Sequence, residues 1–194
     1  MNQTDAMARA ARAKKVTWVG FWVNVVLSVA KIIAGIVGRS GAMIADGVHS
    51  ISDFVTDIIV IVFIGVSAKG ENTRFRYGHG KFETFATMLI SFALFAVAVG
   101  LFWTSFSQIV DALNGKVLPR PEMVALVMAF VSVVAKEWLF HYTRVAGEQM
   151  NSMALVANAW HHRSDAFSSI AVLVGIGCAM FLGERWRVLD PIAA

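Results

Sequence analysis

Charged residues are scarce in this 194-residue chain, at 15%, while 57% of its residues are hydrophobic and its mean hydropathy is +0.64. A soluble domain of this length would have too little polar surface to cover itself, so the composition indicates an integral membrane protein in contact with membrane lipid. The single cysteine, Cys178, excludes an intrachain disulfide, and its apolar surroundings favour a small core residue. Basic runs interleaved with aromatic residues are also lacking, so we expect no nucleic-acid partner.

Two long runs contain no charged residue, residues 84–110 and residues 166–183. Each is long enough to cross the hydrocarbon core of a bilayer, which takes about 20 residues. Three further spans with internal charges are predicted at about Val16–Val37, Ala42–Ala68 and Met123–Tyr142. The predicted fold class is therefore all-α: a polytopic membrane helix bundle with five complete transmembrane helices and the start of a sixth.

The distribution of Lys and Arg predicts the orientation of these spans. Residues 1–15 form a basic segment, and no small-residue cleavage site follows the first span, so we expect a cytoplasmic N-terminus rather than a secretory signal. The basic residues then on the cytoplasmic side are Arg9, Arg12, Lys14, Lys15, Lys69, Arg74, Arg76, Lys81 and Arg144, and those outside are Arg39, Lys116, Arg120, Arg185 and Arg187. This excess agrees with the positive-inside rule and accounts for the formal charge of +4. The transmembrane domain is predicted over residues 16–194.

One octapeptide pattern, Asx-x-x-His-x-x-Ser-Asp, occurs twice in the chain. It reads Asp46-Gly-Val-His49-Ser-Ile-Ser-Asp53 in the second helix and Asn158-Ala-Trp-His161-His-Arg-Ser-Asp165 in the fifth. In each copy His and Asp stand four residues apart, so they share one helix face. If these antiparallel helices face each other, two imidazoles and two carboxylates converge in a tetrahedral set that suits a divalent transition metal. The candidate metal ligands are His49, Asp53, His161 and Asp165.

Further polar residues are candidate accessory groups. Asp46 and Asp57 continue the acidic stripe of the second helix, and one of them could orient a ligand histidine. The other candidates are Asn158 and the loop histidine His79.

A second interpretation applies to each carboxylate taken alone. It could be a buried polar group that joins two helices through Asn24, Lys31, Lys136 or Arg163. The identical spacing of the two pairs favours the metal site instead, because an acid at membrane depth costs about 2.5 kcal/mol or more. Lys136 and Glu137 are sequence neighbours that point about 100° apart on a helix, so each is expected to have its own partner.

Three segments carry a family resemblance: residues 40–53, residues 161–165 and the loop Tyr77-Gly-His-Gly-Lys-Phe-Glu83. They resemble the second-helix, fifth-helix and loop signatures of the cation diffusion facilitator family, whose members are divalent-metal/proton antiporters of bacterial membranes and eukaryotic organelles. Lys136-Glu137 and Asp190-Pro-Ile-Ala193 also match the family pattern. The resemblance covers residues 16–194.

The resemblance implies that His49, Asp53, His161 and Asp165 form the transport site, and that Zn²⁺ is the transported ion, with protons as the counter-ion and no cofactor. Iron, manganese, cobalt and cadmium stay open as alternatives. It also implies a secondary transporter rather than an enzyme, a homodimer, and a location in a bacterial inner membrane. The family has a sixth helix and a cytoplasmic C-terminal domain, so we expect the chain to be truncated at Ala194.

Some family members have a second metal site in the cytoplasmic loop. The aligned positions in this chain are Asn72, Phe75 and His79, of which only the histidine can ligate a metal, so the resemblance does not predict this site here.

Two other functional classes are alternatives to transport. A membrane metalloenzyme would need an open coordination position, a base and a nucleophile, which no further His/Glu cluster supplies. A metal-stabilised structural or channel-like protein would bind metal without proton-coupled flux.

Overall fold

The computed structural model describes residues 3–52 and 80–194, and these residues are helical almost throughout. The helices in chain order are α1 (Gln3–Val37), α2 (residues 41–52 of the described part), α3 (Gly80–Leu113), α4 (Met123–Gln149), α5 (Met153–Phe181), a 3₁₀ helix (Glu184–Val188) and α6 (Leu189–Ala193). Predictions that fall on Asp53, Asp57, Asn72, Phe75 and His79 lie outside the described residues.

Four of the described helices contain segments long and apolar enough to cross a membrane: Lys15–Val37, Ser91–Leu113, Met123–Gln149 and Leu155–Phe181. The predicted helical membrane bundle is therefore confirmed. Most of the predicted second span lies outside the described residues, so the count of five spans stays a prediction.

The fifth helix begins well before the charge-free run at residue 166. Ser152 caps its N-terminus, with its side chain accepting a hydrogen bond from the Leu155 backbone N–H at 3.5 Å. The helix ends at Phe181, and Gly183 follows with φ of 101°, a left-handed conformation that favours glycine. Consequently the whole His-x-x-x-Asp motif of residues 161–165 lies inside the helix.

Small residues allow close helix packing. A Cβ atom on Gly38 would lie 2.9 Å from the Ala125 backbone nitrogen, and one on Gly47 would lie 3.1 Å from the Ile32 backbone nitrogen. Glycine at these two positions therefore lets α1 approach α4 and α2 closely. Around these contacts lies an apolar core of Ala34, Ala42, Met43, Ala125, Ala129, Val172 and Ile176.

Helix α3 presents large apolar side chains outward. Phe92 is 72% exposed and Trp103 is 71% exposed, and Phe95, Phe102 and Phe106 are also exposed. Such a surface suits contact with lipid chains, in agreement with the composition. Cys178 is partly buried on α5.

Candidate functional site

The His-x-x-x-Asp motif of α5 brings His161 and Asp165 to the same face of the helix. His161 Nδ1 lies 3.9 Å from Asp165 Oδ1, and the side chains are 50% and 11% exposed. The helical spacing thus places an imidazole nitrogen near a carboxylate oxygen, as the sequence predicts, although the distance exceeds that of a hydrogen bond.

His49 lies on α2 and is exposed. It lines a cavity of about 610 Å³ together with Asp46, Phe102 of α3, Ser168 of α5 and Pro191 of α6, among others. Ser168 is one turn from the α5 motif and donates a hydrogen bond to the Asp165 backbone carbonyl at 2.8 Å. The cavity therefore reaches from His49 toward the part of α5 that carries Asp165.

Asp53, the fourth predicted ligand, lies outside the described residues. Within residues 3–52 and 80–194 there is no group of three or more His, Cys, Asp or Glu side chains that could hold a metal ion. The convergence of all four ligands stays a prediction.

Asp165 forms a buried ion pair with a lysine of the neighbouring helix. Lys136 Nζ of α4 donates to Asp165 Oδ2 at 2.7 Å, and the two side chains are 4% and 11% exposed. Glu137, the sequence neighbour of Lys136, instead lies 3.3 Å from His141 Nε2 on the helix surface. The prediction that the two residues have separate partners is confirmed.

A second buried ion pair joins α1 to α2. Lys31 Nζ lies 2.8 Å from Asp46 Oδ2, and the side chains are 1% and 4% exposed. Lys31 also donates to Ser50 Oγ at 3.2 Å and to Ser169 Oγ of α5 at 3.3 Å, and Ser169 donates to the Asp46 carboxylate. Ser132 of α4 lies 3.3 Å from Ser169. The four helices therefore share one buried polar network.

Both ion pairs join two helices through a buried carboxylate, as the second interpretation of the sequence predicts. Arg163 was another possible partner for these carboxylates, but its guanidinium contacts aromatic rings instead. Its guanidinium lies over the rings of Phe140, at 4.6 Å, and Trp160, at 5.4 Å. It therefore makes cation–π contacts with aromatic side chains of α4 and α5.

His162, which sequence reasoning passed over, is the buried histidine of the motif. It is 3% exposed, its Nε2 lies 3.4 Å from Asn158 Nδ2, and its Nδ1 has no hydrogen-bond partner among the described residues. Sequence neighbours on a helix point about 100° apart, so His161 and His162 face different surroundings. The available signal in the sequence was spacing, because His162 lies four residues after Asn158 and so shares its helix face.

Asp190 of α6 caps the N-terminus of α2 from across the bundle. Its Oδ1 accepts from Ser40 Oγ at 2.6 Å, and its Oδ2 accepts from the Gly41 backbone N–H at 2.7 Å. Burial raises the pKa of the Asp190 carboxyl above its usual range, and hydrogen bonds from Ser40, Gly41 and Ala42 lower it by less. The helix that carries His49 thus depends on a residue far along the chain for its cap.

Residues 17–194 match the family model described as the cation efflux transmembrane domain. The chain belongs to the cation diffusion facilitator family. The manganese efflux system protein MneP of Bacillus subtilis is 33% identical to it over 193 residues, which are 97% of this chain and 63% of MneP. The magnetosome protein MamB of Magnetospira sp. is 34% identical over 191 residues, which are 98% of this chain and 62% of MamB.

A eukaryotic relative has a similar sequence identity. Mitochondrial metal transporter 1 of Saccharomyces cerevisiae is 34% identical over 185 residues, which are 84% of this chain and 36% of that protein. The chain thus spans between 36% and 63% of the length of these three relatives. The family resemblance found in the sequence is confirmed.

Proposed function

We propose that this chain forms the membrane part of a transporter that exports divalent transition-metal ions. The observation that carries the proposal is the family match over residues 17–194, in a chain whose α5 places His161 beside Asp165. Ionisable residues at membrane depth usually belong to a substrate or ion pathway. MneP and mitochondrial metal transporter 1 carry the names of transport proteins, which favours transport over catalysis.

The proposed transport site consists of His49, Asp53, His161 and Asp165. Zinc is the first candidate for the transported ion, because two imidazoles and two carboxylates provide its preferred four-coordinate set. Manganese is the second candidate, and the name of the relative MneP favours it. Magnesium and calcium fit less well, since they prefer six or more oxygen ligands.

Proton antiport is the proposed source of energy. Imidazole and carboxylate must be free of protons to bind a metal ion, so loading releases protons and unloading takes them up. The same four side chains then carry either the metal or protons. Alternating access would come from helices that rock about the site while the ligands stay on their helices. A homodimer and an inner-membrane location with the N-terminus in the cytoplasm complete the proposal.

The test is metal flux into or out of liposomes that contain the purified protein. Asp165→Ala and Asp53→Ala each remove one of four ligands, so we expect zinc and manganese flux to fall to the level of empty liposomes. Asp111→Ala is the matched control, because Asp111 forms an exposed ion pair with Lys116 at the end of α3. Flux of the wild-type rate in Asp165→Ala would rule out the proposed site.

A further inference from the structure

The two buried lysine–carboxylate pairs differ in one respect. Lys31 pairs with Asp46, which is not one of the proposed ligands, whereas Lys136 pairs with Asp165, which is. Removing two charges from water is costly, and the attraction between them offsets that cost only with good geometry. That cost applies to both pairs, but only Lys136 occupies a carboxylate that a metal ion would need.

Lys136 contacts the carboxylate that the proposed metal ion would bind. Its ammonium lies 2.7 Å from Oδ2, while Oδ1 faces His161 at 3.9 Å. A metal ion bonded to a carboxylate lies about 2.0–2.2 Å from the oxygen. A dication on either oxygen would therefore lie within a few ångströms of a buried positive charge, and the two would repel strongly.

We propose that Lys136 is the resident cation of the transport site, and that a metal ion binds by displacing the Lys136 ammonium from Asp165. The inference rests on the proposed function, since it requires Asp165 to be a ligand. It adds that loading is an exchange of cations: the ammonium neutralises the buried carboxylate before the metal arrives and leaves it when the metal binds.

A serine lies one helical turn from each member of the pair. Ser132 lies one turn before Lys136 on the same helix, and its hydroxyl contacts Ser169, which also binds Lys31 and Asp46. The two lysine–carboxylate pairs lie on the same four helices, Lys31–Asp46 on α1 and α2 and Lys136–Asp165 on α4 and α5. A metal ion on Asp165 would take the place of the Lys136 ammonium, so the exchange requires the Lys136 side chain to move away from Asp165.

Three lysine variants test the exchange by titration calorimetry of the purified protein with Zn²⁺ and with Mn²⁺ at one fixed pH. Lys136→Met keeps the length of the side chain and removes the competitor, so the Kd should fall about tenfold or more, the scale of coupling between close charges. Lys136→Arg keeps the charge and can pair with the carboxylate through two hydrogen bonds, so the Kd should rise. Lys116→Met is the control, because Lys116 forms an exposed ion pair with Asp111 at the end of α3, and its Kd should stay within about threefold of wild type.

Several results would overturn the inference. A Kd in Lys136→Met that is unchanged, raised, or lowered no more than in Lys116→Met would show that Lys136 does not compete for Asp165. Lys136→Met leaves Asp165 without its partner, so the folding of this variant should be checked by gel filtration in detergent. If it does not fold, Lys136→Arg decides: weaker binding supports the exchange, and unchanged or tighter binding refutes it.

Asp165→Asn separates this inference from the proposed site. Unaltered metal binding in Asp165→Asn would refute both, because Asp165 would not be a ligand. Loss of binding in Asp165→Asn together with wild-type affinity in Lys136→Met would refute only the exchange.

Discussion

Replacing Asp190 should destabilise the bundle by removing the cap of α2. The carboxylate is 5% exposed and accepts hydrogen bonds from Ser40 Oγ at 2.6 Å and from the Gly41 N–H at 2.7 Å. Asp190→Ala removes both acceptors and leaves buried donors without a partner. Asp190→Asn keeps one carbonyl oxygen but places an NH₂ group where the other oxygen accepted a hydrogen bond.

The size of the effect follows from these two bonds. If each contributes about 1 to 1.5 kcal/mol after its desolvation cost, Asp190→Ala lowers the free energy of unfolding by about 2 to 3 kcal/mol. For a chain of this length that corresponds to a fall in Tm of roughly 5–10 °C. Asp190→Asn should lose about half as much, because one acceptor remains.

Thermal unfolding in detergent, followed by circular dichroism, measures this difference. Asp111→Ala serves as the control, since it removes a more exposed carboxylate paired with Lys116, and its Tm should stay within about 2 °C of wild type. Equal Tm values for Asp190→Ala and wild type would refute the capping role. A fall of the same size in Asp190→Asn and Asp190→Ala would show that the charge of the carboxylate matters more than the number of acceptor atoms.

The remaining predictions concern the metal. His49→Asp would change the proposed site to one imidazole and three carboxylates, so acceptance of manganese relative to zinc should rise in competition flux assays. An unchanged order of preference would show that other residues determine selectivity. Apparent zinc affinity of the wild-type protein should fall as the pH is lowered from about 7.5 to about 6, because protons compete with the metal for imidazole and carboxylate. Affinity that is independent of pH over this range, measured by titration calorimetry, would argue against proton antiport.

Asp190 also gives the stability of the fold a pH dependence. Because burial raises the pKa of Asp190, the folded protein binds this proton more tightly than the unfolded chain does. The stabilising contribution is fully present below the ordinary carboxyl pKa and is lost as the pH rises through the raised value. As the pH rises from the ordinary carboxyl pKa through the raised pKa of Asp190, the wild-type protein should therefore lose stability relative to Asp190→Asn.

The sequence predicts the helices of this protein better than their ends. The charge-free run from residue 166 marks the apolar part of α5, but the helix starts at Met153, and its polar residues His162 and Asp165 are buried against other helices. His162 and Asp165 lower the hydropathy of that segment without preventing it from being helical.

Site geometry within one helix follows from spacing, whereas pairing between helices does not. His161 and Asp165 share a face because they are four residues apart. The choice of Lys136 as the partner of Asp165, and of Lys31 as the partner of Asp46, depends on how α1, α2, α4 and α5 pack. The sequence alone offered several possible partners for these carboxylates and no way to rank them.

Because Asp190 caps α2, the cap can form only after the chain has been synthesised as far as Asp190. Asp190 is 150 residues beyond Ser40 and 149 beyond Gly41. A ribosome that adds about 5–20 residues per second reaches Asp190 some 8 to 30 s after it has made the start of α2. During that interval α2 must be held by other contacts or by the insertion machinery, so the histidine-bearing helix reaches its final position only when the last described helix has been made.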